Sequence, residues 1–232
     1  MSTVPPSPSE PLPPDPTPPQ PPADVGRRSD AELRAELRRR RGALDADARA
    51  AASRELADRL IDLDELATAG TLATYLPTDG ELDPNLGLDR LRSRGWRVAL
   101  PIIDADRSMR FARWDPGTTL APNRFGIDEP APPIVEVGID ELDVVLVPCV
   151  AVDPDGNRLG FGAGFYDRAF ARPTLTRPAL TRPAPDATTP PRRAVLVGVV
   201  HDVQVVDRIE PDPWDVPMDL IVTGARVRRP RR

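Results

Sequence analysis

The residues best suited to chemistry fall in one stretch, GNRLGFGAGFYDR, residues 156–168. Gly160, Gly162 and Gly164 alternate there, followed by Phe165, Tyr166 and Asp167. Alternation usually marks a strand, yet glycine holds a strand poorly. Upstream, Pro154 followed by Asp155-Gly156 has a turn signature, and downstream FYDRAFA reads as the first turns of a helix. A glycine-rich loop running into a helix suits an anion. Without Cβ atoms the backbone approaches closely, and unpaired amides and the helix dipole favour negative charge. The lysine of a G-x-x-x-x-G-K-[ST] loop is missing, and G-x-G-x-G is not the dinucleotide pattern G-x-G-x-x-G. Spacing alone leaves two readings open, a phosphate cradle and a structural tight turn. Asp167 is likewise either a favourable first-turn acid or a magnesium ligand. A carboxylate beside phosphate is repelled unless a cation lies between, and Mg²⁺ is commonly shared by carboxylates and phosphate oxygens. Arg158 brings a second positive charge to the same place.

Such a loop needs a frame. Residues 30–45 predict a helix with Leu33 and Leu37 on one face. Residues 45–66 predict a second, with Asp45 as N-cap and Leu56, Leu60 and Leu63 as its apolar stripe. A third, NLGLDRLRSRG, stops at Gly95. TLATYL, WRVALPII, MRFARW, DVVLVPCVAV, AVLVGVV and DLIVTG read as strands, TDGELDP as a turn-rich loop and NRFGIDEPAPP as another loop. Continuous apolar runs alternating with helices predict an α/β fold with a mainly parallel sheet covered on both sides. Right-handed crossovers then gather the loops that follow the strands at one sheet edge, where ligands of such folds bind.

Composition sets the outer limits. The chain has 31 prolines in 232 residues, and the concentration between Val4 and Pro22 predicts a disordered tail over 1–27. A domain follows over 28–226, with a proline-rich surface insertion at 171–193 and a basic tail at 227–232. There is no secretory-signal pattern and no apolar run of membrane-spanning length, so the expectation is a cytoplasmic monomer without membrane partners. The single cysteine, Cys149, excludes an internal disulfide and reads as a small buried residue within a strand. Net charge is −5, which argues against nucleic acid as a partner of the terminal arginines. No lysine occurs, so any role that lysine fills elsewhere falls here to arginine. The run Arg38–Arg41 reads as a solvated face, and His201, the one histidine, as structural.

The ordered motifs LRAELRRRRGAL, YLPTDGELDPN, GWRVALPII, NRFGIDEP, VLVPCVAVDPDGNRLGFGAGFYDR, VGVVHDVQ and DVPMDLIVTG run from about Asp30 to Gly224. Together they resemble the 5-formyltetrahydrofolate cyclo-ligase family. The resemblance implies a three-layer α/β/α domain similar to the NagB/RpiA/CoA-transferase-like fold. It implies ATP- and Mg²⁺-dependent conversion of 5-formyltetrahydrofolate to 5,10-methenyltetrahydrofolate. It also implies a phosphate loop for ATP made of Arg158, Leu159, Gly160, Phe161, Gly162, Ala163, Gly164, Phe165 and Tyr166, with Arg158 and Tyr166 in catalytic roles. Arg34 is implied as a further nucleotide contact, Asp167 and Asp215 as metal ligands, and Leu76 and Glu81 as folate contacts. The NRFGIDEP loop, with Phe125, is implied as a wall of the folate site. The departure is Asp30, which stands where the family often has a lysine. It motivates an alternative, a folate-binding protein of the same fold with weak or no turnover.

Overall fold

The computed structural model describes residues 29–171 and 193–230. The expectations for the 1–27 tail and for the interior of the 171–193 insertion fall outside those residues. Among the described residues, four α-helices form where the sequence has start and stop signals. In α1 (Asp30–Gly42), Ser29 and Glu32 make a reciprocal capping box, worth about 1 kcal/mol. In α2 (Ala46–Ile61), the Asp45 carboxylate accepts from the Ala48 amide at 2.7 Å, the cap its sequence predicts. Helix α3 (Leu88–Ser93) closes at Gly95, where φ is 87°. Helix α4 (Phe165–Phe170) is six residues long, so its dipole is small.

Twelve strands accompany them among the described residues. They are β1 (Thr71–Ala73), β2 (Arg97–Ile103), β3 (Met109–Arg113), β4 (Leu120–Pro122), β5 (Asp128–Pro130) and β6 (Glu136–Val137), then β7 (Val144–Pro148), β8 (Ala151–Val152), β9 (Arg158–Leu159), β10 (Val195–Val199), β11 (Leu220–Val222) and β12 (Val227–Arg228). Eight of them form one sheet in the order β12-β11-β10-β7-β1-β2-β3-β6. The pairs from β11 through β10, β7 and β1 to β2 are parallel, and antiparallel strands finish both edges. This is the mainly parallel α/β sheet that the apolar runs predict.

The pleat sorts side chains cleanly between the two faces. Leu72, Val144, Leu146, Val197 and Val199 meet Leu56 and Leu60 of α2 and Leu88 and Leu91 of α3. Their neighbours Ala73, Val145, Val147 and Leu196 meet Phe111, Phe170 of α4 and Met218 on the opposite face. Leu37 of α1 packs instead on Val150, Ala151 and Leu159, beyond the carboxyl end of β7.

Two expectations need correction. NRFGIDEPAPP is not wholly a loop, because β5 pairs antiparallel with β4. Asn123 Oδ1 accepts from the amides of Phe125 and Ile127, so the turn-forming residues make only a hairpin tip. The boundary at 226 also falls short, since Val227–Arg228 extends the sheet and Arg229 Nη2 pairs with Glu65 at 3.1 Å. Among the described residues no helix is long and apolar enough to cross a membrane.

Candidate active site

In a parallel sheet the loops leaving β1, β7 and β10 exit at one edge. The first carries Leu76 and Glu81, the second becomes the glycine loop, and the third begins with His201. Two buried polar side chains shape this edge. Asp153 has no exposure and accepts from the amides of Asp155, Asn157 and Ile209 and from Asn157 Nδ2, all at 2.9–3.0 Å. It thereby fixes the β8–β9 turn against the segment near residue 209. Gln204 Nε2 donates to the carbonyls of Cys149 and Val150 at 2.9 Å each, bracing the exit of β7.

The glycine loop leaves β9 and enters α4. Gly162 and Gly164 have φ of 95° and 63°, a region that side-chain-bearing residues rarely adopt. Added Cβ atoms at Gly160 and Gly162 would meet nothing within 4 Å, so the loop is open on the side where an incoming group would approach. Among the described residues, no hydrogen bond is donated by the backbone amides from Gly160 to Gly164. Five free donors on an open loop are what an anion cradle needs.

The loop walls a cavity of ≈ 420 Å³. Arg34 reaches it from α1: Nε donates to the Gly160 carbonyl at 2.9 Å, and Nη2 donates to Asp30 Oδ2 at 3.3 Å. The departure at Asp30 therefore has a local consequence, since its carboxylate, one helical turn away, orients Arg34 towards the loop. Arg168 holds the far side of the loop by donating to the Ala163 carbonyl at 2.8 Å.

Asp167 and Asp215 both line this cavity. Burial, then the negative charge of Asp167, pushes Asp215 above the usual carboxylate range. Asp167 Oδ1 accepts from Arg158 Nη2 at 2.6 Å and from the Val216 amide at 3.0 Å. Both of these bonds fall on one oxygen, and among the described residues Oδ2 accepts none. Among the described residues, no group of three or more acidic, histidine or cysteine side chains could hold a metal alone. Two carboxylates completed by phosphate oxygens and water is the ligand set that Mg²⁺ accepts, so the residues present fit that ion.

Arg158 sits deeper than its sequence suggests. Only 8% exposed, it donates to the Val216 carbonyl as well as to Asp167. Its guanidinium ties Asp167 to the segment at Val216, and Arg158 also lines the cavity. Tyr166 faces the core, its ring stacked on Phe170 with centroids 6.4 Å apart. Burial, then the charge of Glu81, pushes its phenol well up, so the group stays neutral. It does not line the cavity, and neither do Phe161 and Phe165. Phe165 meets Phe125 edge-on at 6.2 Å, which brings the β4–β5 hairpin to the end of the glycine loop.

Around Glu81 the character changes. Its side chain is 6% exposed, and Oε2 accepts from the Thr78 amide at 2.9 Å and from Thr78 Oγ1 at 3.4 Å. Burial pushes its pKa up, against the Thr78 bonds and the Arg41 charge. Arg41 was expected on a solvated face, but it has no exposure and lies beside Glu81 and Asp79. The available signal was helical spacing: Leu33, Leu37 and Arg41 follow one another at intervals of four and share a face. Leu76 is half-buried on the same loop.

His201 is buried and its pKa is lowered by that burial, with Nε2 3.2 Å from the Gly80 carbonyl. The Cys149 thiol is pushed up to about 12 by burial, which leaves it neutral and unreactive. Cys149 follows β7 rather than lying within it. Several cavity residues carried no prediction, among them Arg168, Ile209, Asp212 and Trp214, which lies next to Asp215 and is 65% exposed.

Residues 27–224 match the model of the 5-formyltetrahydrofolate cyclo-ligase family. A 5-formyltetrahydrofolate cyclo-ligase of Escherichia coli K12 is 32% identical over 194 residues, covering 82% of this chain and 98% of its own. One from Mycolicibacterium smegmatis is 35% identical over 162 residues, 67% of this chain and 74% of its own. The solution structure of Aquifex aeolicus 5,10-methenyltetrahydrofolate synthetase superposes with a TM-score of 0.70 at 29% identity, over 88% of this chain and 93% of that one.

Proposed function

The chain belongs to the 5-formyltetrahydrofolate cyclo-ligase family, and from that membership we propose that it converts 5-formyltetrahydrofolate and ATP into 5,10-methenyltetrahydrofolate, ADP and phosphate. The N5-formyl group is an amide, and its oxygen is a poor leaving group. The terminal phosphoryl group of ATP passes to that oxygen as ADP departs. N10 of the same folate attacks the formyl carbon and releases its proton to solvent. The carbon–oxygen bond then breaks, and phosphate carries the formyl oxygen away. Ring closure is intramolecular, so alignment supplies much of the rate, and no nucleophile from the protein is needed. The neutral Cys149 thiol suits that scheme.

The observation that carries this reading is the run of undonated amides from Gly160 to Gly164 beside Arg34, in a cavity with two mutually repelling carboxylates. The amides and Arg34 hold the phosphates. Asp167 and Asp215 would hold Mg²⁺, which when bound would neutralise phosphate charge. Arg158 holds Asp167 in place through an ion pair of 2.6 Å. Glu81 and Leu76 receive the folate, the carboxylate meeting ring N–H donors. Tyr166 supports the loop from the core, stacked on Phe170.

The test is direct. Methenyltetrahydrofolate absorbs near the ultraviolet edge, so its formation is followed continuously. Product is expected only when 5-formyltetrahydrofolate, ATP and Mg²⁺ are all present. No product with all three overturns the proposal.

A further inference from the structure

Arg38, Arg39 and Arg40 are exposed, yet Arg41 is wholly buried. A buried guanidinium is costly unless its donors and charge are matched. Arg41 Nη2 donates to Asp79 Oδ2 at 2.6 Å. Its Nη1 faces Glu81 Oε1 at 4.0 Å, too far for a hydrogen bond. Arg41 Nε, Arg41 Nη1 and Glu81 Oε1 are all buried without a hydrogen-bond partner. A single polar atom bonded to both groups at about 2.8 Å, with the two bonds near a right angle, would separate them by about that distance. Such an atom accepts from the guanidinium and donates to the carboxylate. The other side of the guanidinium faces the glycine loop, with the Phe161 ring centroid 5.8 Å away and Arg38 at 4.9 Å from the same ring.

We propose that Arg41 is a positioning residue for the folate side of the site: it supplies the counter-charge that holds the Glu81 carboxylate, and through Phe161 it ties that carboxylate to the glycine loop. The inference rests on Glu81 as the folate contact. It deepens that reading by naming what keeps Glu81 ready. The groups facing Glu81 are Asp79 on its own turn, Tyr75 at the exit of β1, Cys149 after β7, Tyr166 on α4 and Arg41 on α1. His201 and Arg49 lie close by, His201 against the Gly80 carbonyl. Burial alone disfavours the ionised Glu81, and Arg41 is the cation that opposes it.

The variants are Arg41→Met, which keeps the apolar stem, and Arg41→Lys, which keeps the charge without the fork. In Arg41→Met, KM for 5-formyltetrahydrofolate should rise about 10-fold while KM for ATP changes by no more than about twofold. The acid limb of kcat/KM should move to higher pH, because loss of the cation raises the pH at which Glu81 ionises. Arg41→Lys should restore the acid limb while recovering only part of the folate KM. A folded Arg41→Met with the wild-type folate KM, or with an unmoved acid limb, overturns the inference. If Arg41→Met does not fold, Arg41→Lys decides: a raised folate KM supports the role and wild-type values overturn it. Carbon-13 NMR of labelled glutamate reads the Glu81 titration without turnover. An unchanged midpoint in Arg41→Met would sink the role of Arg41 even if the wild-type enzyme were active. A shifted midpoint in an inactive wild-type protein would instead fault the proposed reaction.

Discussion

The cavity over the glycine loop and the surroundings of Glu81 share one sheet edge but are built differently. The first is backbone: free amides from Gly160 to Gly164 and open space where side chains would stand, with Arg34 entering from outside. The second is side chain: a buried carboxylate, a buried guanidinium and polar atoms without partners. An open backbone cradle suits a highly charged ligand that must enter and leave, because it orders no flexible side chains on binding. A closed charge pair suits orientation, because its geometry is set before the ligand arrives. Arg41 and Phe161 lie where the two regions meet.

That contrast makes different substitutions fail in different ways. The largest effect is expected at Asp167→Asn, where kcat should fall on the order of 10²–10³-fold as the metal site weakens. Asparagine still accepts from Arg158 but leaves that buried guanidinium without its counter-charge, so the melting temperature should fall as well. ATP should bind less tightly with Mg²⁺ present, and folate affinity should be nearly unchanged. A folate-specific defect would show that the two regions are not separable as drawn. The Arg41 variants come next, with the opposite signature of a folate KM change at nearly constant ATP KM. The smallest effect belongs to Asp30→Ala. Its bond to Arg34 is a partly exposed ion pair, 64% exposed on the aspartate side, and such pairs contribute little alone. Loss of the orienting carboxylate should raise KM for ATP about two- to fivefold by releasing Arg34. A lower KM would mean that Asp30 opposes the nucleotide and does not orient its contact.

The same contrast decides what the sequence made legible. The glycine loop is contiguous, so its glycines, Asp167 and the helix behind them could be read as one unit. The parallel sheet was legible because strands buried on both faces leave continuous apolar runs such as DVVLVPCV. Tyr166 was harder, since a six-residue helix is too short for periodicity to fix its inward face. Arg158 looked like a free cation because its partners, Asp167 and the Val216 carbonyl, come from other segments. Arg41 was hidden among identical neighbours, although its spacing from Leu37 marked the buried face. The β4–β5 hairpin was obscured by prolines and turn formers that occupy its ends and tip.

The central claim is that the two regions act on one reaction, with phosphate held over the glycine loop passing to the formyl oxygen of a folate held near Glu81. Oxygen-18 in the formyl group of 5-formyltetrahydrofolate tests it most directly. With ATP and Mg²⁺ present, the account predicts that the label leaves in inorganic phosphate, one labelled oxygen per turnover, as read by the phosphorus-31 isotope shift. Unlabelled phosphate accompanying methenyltetrahydrofolate formation would contradict it.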